Sequence, residues 1–259
     1  MGFFGEFKEG VKILADPEKR SLLIDGITHF NEYKDKGSAG ERHIYRILDD
    51  YFEKSLILRN VYLPKKNGMT TEIDLLGITE QGLLVIESKN YSGTIYGSQE
   101  QKQWTHYLTP QSKFSFANPI NQNTSHIKAL QLALDDFPEV VYYNLVVFSE
   151  RCTLKIGEVS APNTYVIQRF DLDALLAKIV EQKGVLHFDR QADIALKLTR
   201  SSRPKKEVRE QHVEDLKTKC QFCGSDLVER VRKKDGGRFL GCSTYPKCRF
   251  TKQGGEQRA

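Results

Sequence analysis

Residues 70–89, TTEIDLLGITEQGLLVIESK, are apolar at consecutive positions rather than at alternate ones. Side chains along a strand alternate faces, so Leu76, Ile78, Leu83 and Val85 share one face and Ile73, Leu75, Leu84 and Ile86 the other. Two strands joined by a tight turn around Glu80, Gln81 and Gly82 account for the pattern, and a sheet built on them needs helices on both sides. The flanking sequence supplies them. SAGERHIYRILDDYF is predicted helical, with Ser38 as its cap and Ile44, Leu48 and Phe52 along one face. ANPINQNTSHIKALQLALDDF is a second helix that Asn118 can cap, with Pro119 in its first position. LILRNVYLP, GTIYG with QWTHYL, VVYYNLVVFSE and TYVIQ read as strands, and DLDALLAKIV as a helix capped by Asp171. Strands alternating with helices over residues 37–199 describe an α/β layered core.

The same hairpin carries Asp74, Glu87 and Lys89, all on one face in either of two registers. With Glu80 and Gln81 as a two-residue turn, Asp74 stands opposite Glu87; slipped by one residue at each end, it stands opposite Lys89. Opposed carboxylates with Cβ atoms about 5 Å apart repel unless something positive lies between them. Lys89 supplies part of that charge. A divalent ion can supply the rest, and a set of oxygen ligands selects a hard cation, Mg2+ or Mn2+. Glu41, three positions before Ile44, adds a fourth charge aimed at the sheet. The structural alternative is a salt-bridge network closing the end of the sheet, although a buried ion pair stabilises poorly beside apolar packing. Gln122 shares a helical stripe with His126, Ala129 and Ala133. Here His126 reads as a structural histidine ahead of a ligand, Trp104 as packing ahead of base stacking, and Cys152 as an inert core thiol.

An Asp, then E-x-K on the next strand, with an acidic residue on the preceding helix, resembles the PD-(D/E)xK nuclease superfamily. More narrowly, GSAGERHIYRIL, TEIDLLGITEQGLLVIESKNYSGTIYG, Trp104 and ANPINQNTSH, in that order, resemble the nuclease-related domain (NERD) of bacterial proteins over roughly residues 37–150. Ile73 stands where the superfamily's Pro would be. The resemblance implies a three-layer restriction-endonuclease-like core and metal-dependent phosphodiester cleavage. On this chain it implies that Asp74 and Glu87 hold the metal with the Ser88 carbonyl, and that Lys89 orients or helps deprotonate the attacking water. It further implies that Glu41 acts through water or a second metal, and that Gln122, in the family's N-P-x-x-Q motif, completes the set.

Four of the five cysteines fall in CQFCGSDLVERVRKKDGGRFLGCSTYPKC, spaced C-x2-C-x18-C-x5-C. Two knuckles flanking a hairpin-like insert can set Cys220, Cys223, Cys242 and Cys248 around Zn2+, and so short an apolar-poor segment needs such a staple to fold. The alternative, a pair of redox dithiols, lacks the strand–helix context of that chemistry. Cys-x-x-Cys-Gly-x-x-Leu-Val-x-Arg followed by G-x-F-L-G-C-S-x-Y-P-x-C resembles the C-terminal zinc ribbon of bacterial type IA topoisomerases, which implies DNA binding, single strands above all. Arg230, Arg232, Lys233, Lys234, Arg238, Lys247 and Arg249 alternate there with Phe239, Tyr245 and Phe250, cations for phosphates beside rings for bases. The bland reading makes Phe239 and Tyr245 the ribbon's own small core.

Charge divides the same way. From Arg200 onward there are 16 basic and 8 acidic side chains, while the preceding residues hold 23 and 26. A basic tail on a mildly acidic body suits a polyanionic partner. DNA, single-stranded or branched, is the expected partner, with RNA left open; a nucleic-acid-binding protein that keeps the nuclease fold without turnover is the rival reading. RSSRPKKEVREQHVEDL, residues 200–216, suits a linker or an exposed helix. Residues 1–36 carry Phe3, Phe4, Phe7, Val11 and Leu14 at helical spacing, expected to dock on the body. No apolar run reaches a membrane span and the start lacks a signal-peptide pattern, so the expected location is cytoplasmic, where thiols stay reduced.

Overall fold

A computed structural model describes residues 36–52, 56–199, 201, 204–233 and 235–253, so the predicted N-terminal helix lies outside the described residues. The chain divides into two compact units, residues 1–62 with 72–203 and residues 63–71 with 204–259.

In chain order the elements are α1 (Lys36–Tyr51), β1 (Ile57–Pro64), β2 (Thr70–Thr79), β3 (Gly82–Lys89), β4 (Gly93–Gly97), β5 (Gln103–Thr109), β6 (Ser112–Ala117) and α2 (Pro119–Ala133). There follow β7 (Tyr142–Phe148), β8 (Cys152–Ile156), β9 (Thr164–Gln168), α3 (Leu172–Val180), α4 (Phe188–Thr199), α5 (Lys206–Thr218), β10 (Leu227–Val231), β11 (Arg238–Cys242) and β12 (Thr251–Gln253). A five-stranded sheet runs β1-β2-β3-β7-β9, and a four-stranded sheet runs β6-β5-β4-β8.

The β2–β3 hairpin has the two-residue turn, with Thr79 opposite Gly82 and the ladder continuing to Leu75 opposite Ile86. Gly82 has φ +139°, and a Cβ there would lie 2.3 Å from the Val141 carbonyl, so only glycine fits this turn. β3, β7 and β9 are parallel neighbours. Leu75, Leu84, Ile86, Leu145 and Val147 pack against Ile44 and Leu48 of α1 and Leu172, Leu176 and Ile179 of α3. On the opposite face Val146 and Phe148 meet Ile120 of α2, with Ile95 and Trp104 of the second sheet. Helix, sheet and helix form the three layers expected from strands apolar on both faces.

Several expectations change. The α1 helix already runs at Lys36, so Ser38 lies inside it and is not its cap. Asp171 occupies the position before α3 but its side chain makes no capping bond, because a single 3-10 turn, Arg169–Asp171, leads into the helix instead. Asn118 does cap α2, accepting the Ile120 N–H at 2.9 Å, and its amide donates to the carbonyls of Ser98, Gln99 and Gln101. β6 and α4 carried no sequence signal strong enough to name. Trp104 is 1% exposed and stacks on Phe148 at 6.2 Å, so it packs the core and is not a base platform. Cys152 is a buried core thiol whose burial pushes it up to about 11.

A pair of buried amides fixes α2. Asn123 donates to the Val85 carbonyl at 2.7 Å and to Asn144 Oδ1 at 2.9 Å, and Asn144 donates back to the Ile120 carbonyl and the Thr124 hydroxyl, both at 3.2 Å. Buried polar groups hold one arrangement because slipping it leaves them unpaired. Gln122 and His126 are thereby held over β3.

In the second unit β10, β11 and β12 form an antiparallel sheet, with Leu227 opposite Cys242 and Phe239 opposite Gln253. Helix α5 buries His212, whose Nδ1 lies 2.9 Å from the Thr70 hydroxyl. Lys65 donates to the Gln221 carbonyl at 3.2 Å. Gly224, at φ +78°, would place a Cβ 2.5 Å from the Asn67 carbonyl, so the first knuckle needs a glycine there. Among the described residues no helix is long and apolar enough to cross a membrane.

Candidate active site and metal centre

The last hydrogen-bonded pair of the hairpin, Leu75 and Ile86, places Asp74 beside Glu87, the first of the two registers left open by the sequence. Asp74 Oδ2 accepts the Ser88 backbone N–H at 2.8 Å. Glu87 is 2% exposed, and both its oxygens are engaged. Lys89 Nζ lies 2.5 Å and Gln122 Nε2 2.7 Å from Oε1, while His126 Nε2 lies 3.0 Å from Oε2. Lys89 also donates to Gln122 Oε1 at 3.3 Å, closing a ring of three side chains. The alternation of β3 and the stripe of α2 are what bring these groups to one spot.

The two carboxylates are treated unequally. Burial works against ionisation of Glu87, but Lys89 and then His126 outweigh it and hold its carboxyl down at about 2. Among the described residues no side chain clamps Asp74 in this way. Burial, then Glu87, then Glu41 push it well above the usual carboxylate range, against the opposing pull of Lys89 and the Ser88 N–H. Lys89 is kept charged beyond an ordinary lysine: burial disfavours its ammonium, but Glu87, Tyr91 and Asp74 more than offset it. One negative charge is thus matched by Lys89, whereas ionisation of the second carboxyl is disfavoured.

Asp74, Glu87, Ser88, Lys89 and Gln122 therefore meet as a contiguous group. Glu41 lies within electrostatic reach of Asp74 and pairs with Arg59 of β1 at 3.3 Å. Sequence reasoning missed Arg59, Asn123 and Asn144, and ranked His126 as structural. The stripe shared with Gln122 was the signal that joins His126 to Glu87. The donor set is all oxygen, which suits Mg2+ or Mn2+. A carboxylate has roughly four lone-pair sites, so Glu87, with three in use, retains one for an ion.

In the second unit the Sγ atoms of Cys220, Cys223, Cys242 and Cys248 all lie within 4.8 Å of one another, and none is in a disulfide. Cys220 and Cys248 are 3.6 Å apart, Cys223 and Cys242 3.4 Å. Tetrahedral zinc with bonds near 2.3 Å needs sulfurs about 3.8 Å apart, so the four thiols fit it. Burial pushes the Cys220 thiol up to about 12, whereas hydrogen bonds from Ser225 hold Cys223 at about 6.

The ribbon's cations are unequal too. Arg232 pairs with Asp235 at 2.9 Å and Arg238 with Glu229 at 3.2 Å, while Lys233 and Lys247 are exposed. Arg230 holds the Cys242 carbonyl at 3.2 Å and lies 5.6 Å over the ring of Tyr245, which is 59% exposed. Tyr245 is thus a surface ring and not core. Phe239 is half-buried, and Phe250 meets Phe222 edge-on at 5.3 Å. Phe222, also 59% exposed, is an aromatic that the sequence reading passed over. Lys234 lies outside the described residues.

Comparison with known proteins agrees with this division. The nuclease-related domain (NERD) family profile matches residues 36–149, and the topoisomerase DNA binding C4 zinc finger profile matches residues 217–256. An uncharacterized protein of Bacillus anthracis is 33% identical over 185 residues, 71% of this chain and 85% of its own length. DNA topoisomerase 1 of Pyrococcus horikoshii is 54% identical over 33 residues, 13% of this chain and 5% of that enzyme. DNA topoisomerase 1 of Methanothermobacter thermautotrophicus is 46% identical over 48 residues, 18% of this chain and 6% of that enzyme. No solved structure matches. The chain belongs to the nuclease-related domain family and carries a topoisomerase-type C4 zinc ribbon at its C-terminal end.

Proposed function

We propose that this chain is a metal-dependent nuclease that hydrolyses DNA phosphodiester bonds, with its zinc ribbon binding single-stranded or partly open DNA. The observation that carries the reading is the inequality of Asp74 and Glu87. One carboxylate is clamped by Lys89, Gln122 and His126 and held down at about 2, while burial and the charges of Glu87 and Glu41 push its neighbour well above the usual carboxylate range. Asp74, Glu87 and the Ser88 carbonyl would hold Mg2+ or Mn2+. Such an ion, when bound, activates water and clamps phosphate oxygens. Lys89, kept charged by Glu87, serves as a cation and donor toward the phosphate and the attacking water rather than as a base. Gln122 fixes the Lys89 ammonium and the Glu87 carboxylate against each other, and Glu41 adds negative charge near Asp74.

The closed Lys89–Glu87–Gln122 ring also favours a second reading, a binding protein in which this network is structural. Labelled single-stranded, duplex and flap DNA, incubated with Mg2+, Mn2+ or EDTA, separates the two. Cleavage that needs the metal and disappears in Asp74→Asn is expected. Tight DNA binding with no cleavage under any metal would overturn the nuclease reading.

A further inference from the structure

The four-stranded sheet has an outer face that takes no part in the carboxylate site. Its inward side chains, Ile95, Trp104 and Cys152, pack the core. The register then sets two rows on the other side: Lys113, Tyr107, Thr94 and Thr153, and next to it Ser115, Thr105, Tyr96 and Lys155. None of these eight positions is acidic. Tyr96 and Tyr107 meet edge-on at 5.6 Å, with Lys155 5.5 Å over the first ring and Lys113 5.6 Å over the second. Tyr96 is 41% exposed, and both lysines are exposed. An open cleft of about 460 Å3, lined by Thr94, Tyr96, Thr105, Tyr107 and Leu108, lies along this face.

We infer that this sheet face is a binding platform for single-stranded DNA, with Tyr96 and Tyr107 stacking bases and Lys113 and Lys155 meeting the adjoining phosphates. The edge-on contact holds the two rings as a fixed pair on the sheet, Tyr96 exposed and Tyr107 half-buried, and unstacked bases offer faces to them. Among the described residues neither lysine over the rings pairs with a carboxylate, so both are open to phosphates. Duplex bases are stacked on one another and closed to such rings, which selects single strands. Gly93, where β4 begins, follows Lys89 by four residues, a reach of at most roughly 14 Å. The first strand of the platform therefore begins within that reach of Lys89. The platform rests on the nuclease reading above and places the substrate of that same site.

The test uses the full chain in an Asp74→Asn background, so that binding of an oligothymidylate is read without cleavage, by fluorescence anisotropy across a salt series. Tyr96→Leu with Tyr107→Leu is expected to weaken binding roughly 5- to 100-fold for each base left unstacked. The conservative pair Tyr96→Phe with Tyr107→Phe keeps the rings and is expected to keep the affinity. Lys113→Gln with Lys155→Gln should lower the log–log salt slope by about 1.4, at about 0.7 per phosphate. Unchanged affinity in the leucine pair and an unchanged slope in the glutamine pair would overturn the platform, leaving cleavage by the parent chain to stand on its own. Weakened binding in a chain that never cleaves would support the platform and sink the nuclease. Tighter binding of oligouridylate than of oligothymidylate would overturn the assignment to DNA.

Discussion

His126 Nε2 lies 3.0 Å from Glu87 Oε2, so a histidine that reads as structural on its helix holds the carboxylate at the centre of the site. Hydrogen bonds to a charged group contribute about 1.5–3 kcal/mol. His126→Ala is expected to destabilise the chain by about 2 kcal/mol in denaturant titration, and His126→Gln, which retains a donor, to recover part of that. Equal stability of His126→Ala and the parent would mean that the contact contributes nothing.

The second prediction concerns Asp74 and pH. Its folded value is raised above the unfolded one, so in the window above the unfolded value the fold retains a proton that the unfolded chain has released. Stability without metal therefore falls as pH rises through that window. Asp74→Asn removes the effect. Without metal it should melt above the parent at pH 7, and the gap should close as pH falls below the ordinary aspartate value of about 3.9. A variant that melts lower at pH 7 would contradict this account.

Glu87 works with the opposite sign. Its folded value of about 2 lies below the ordinary glutamate value of 4.5, so the stability it contributes is present above the unfolded value and lost as pH falls toward 2. Glu87→Gln should flatten acid unfolding between those limits, read by circular dichroism. It should also abolish cleavage, because an amide oxygen is a weaker ligand than a carboxylate.

Zinc gives the fourth prediction. Elemental analysis should find one zinc per chain, and Cys223→Ser should lose it, since three thiolates leave the tetrahedron open. Hydrogen exchange should then rise in residues 219–253 and also in residues 63–71, which belong to the same compact unit. The turn in which the Lys65 N–H donates to the Met69 carbonyl at 2.7 Å reports on it. Unchanged exchange in residues 63–71 would mean that this segment keeps its order without the ribbon.

Truncation before Pro204 tests the division of labour. The shortened chain should bind single-stranded DNA with a smaller salt slope, by about 0.7 for each phosphate that the ribbon had neutralised. It should also be less stable than the parent, because Leu63 and Met69, 2% and 4% exposed, lose the rest of their unit. A slope equal to that of the full chain would mean that the ribbon does not meet the DNA.

The sequence by itself determined the local and periodic features. Apolar residues on both faces of residues 70–89 required covered strands, the turn signal around Glu80, Gln81 and Gly82 joined them as a hairpin, Asn118 and Pro119 started a helix, and cysteine spacing specified a ribbon. Each depends on neighbours a few residues apart, where side-chain alternation and turn chemistry act directly. Tertiary structure decided which of two registers puts Asp74 beside Glu87, and that His126 and Gln122 share the second carboxylate. It also decided that Arg59 meets Glu41, that Asn123 and Asn144 lock α2 on the sheet, and that residues 63–71 join the ribbon's unit. These relations join residues from 13 to more than 150 positions apart. No local propensity encodes them, because they exist only once packing has removed water from between the partners.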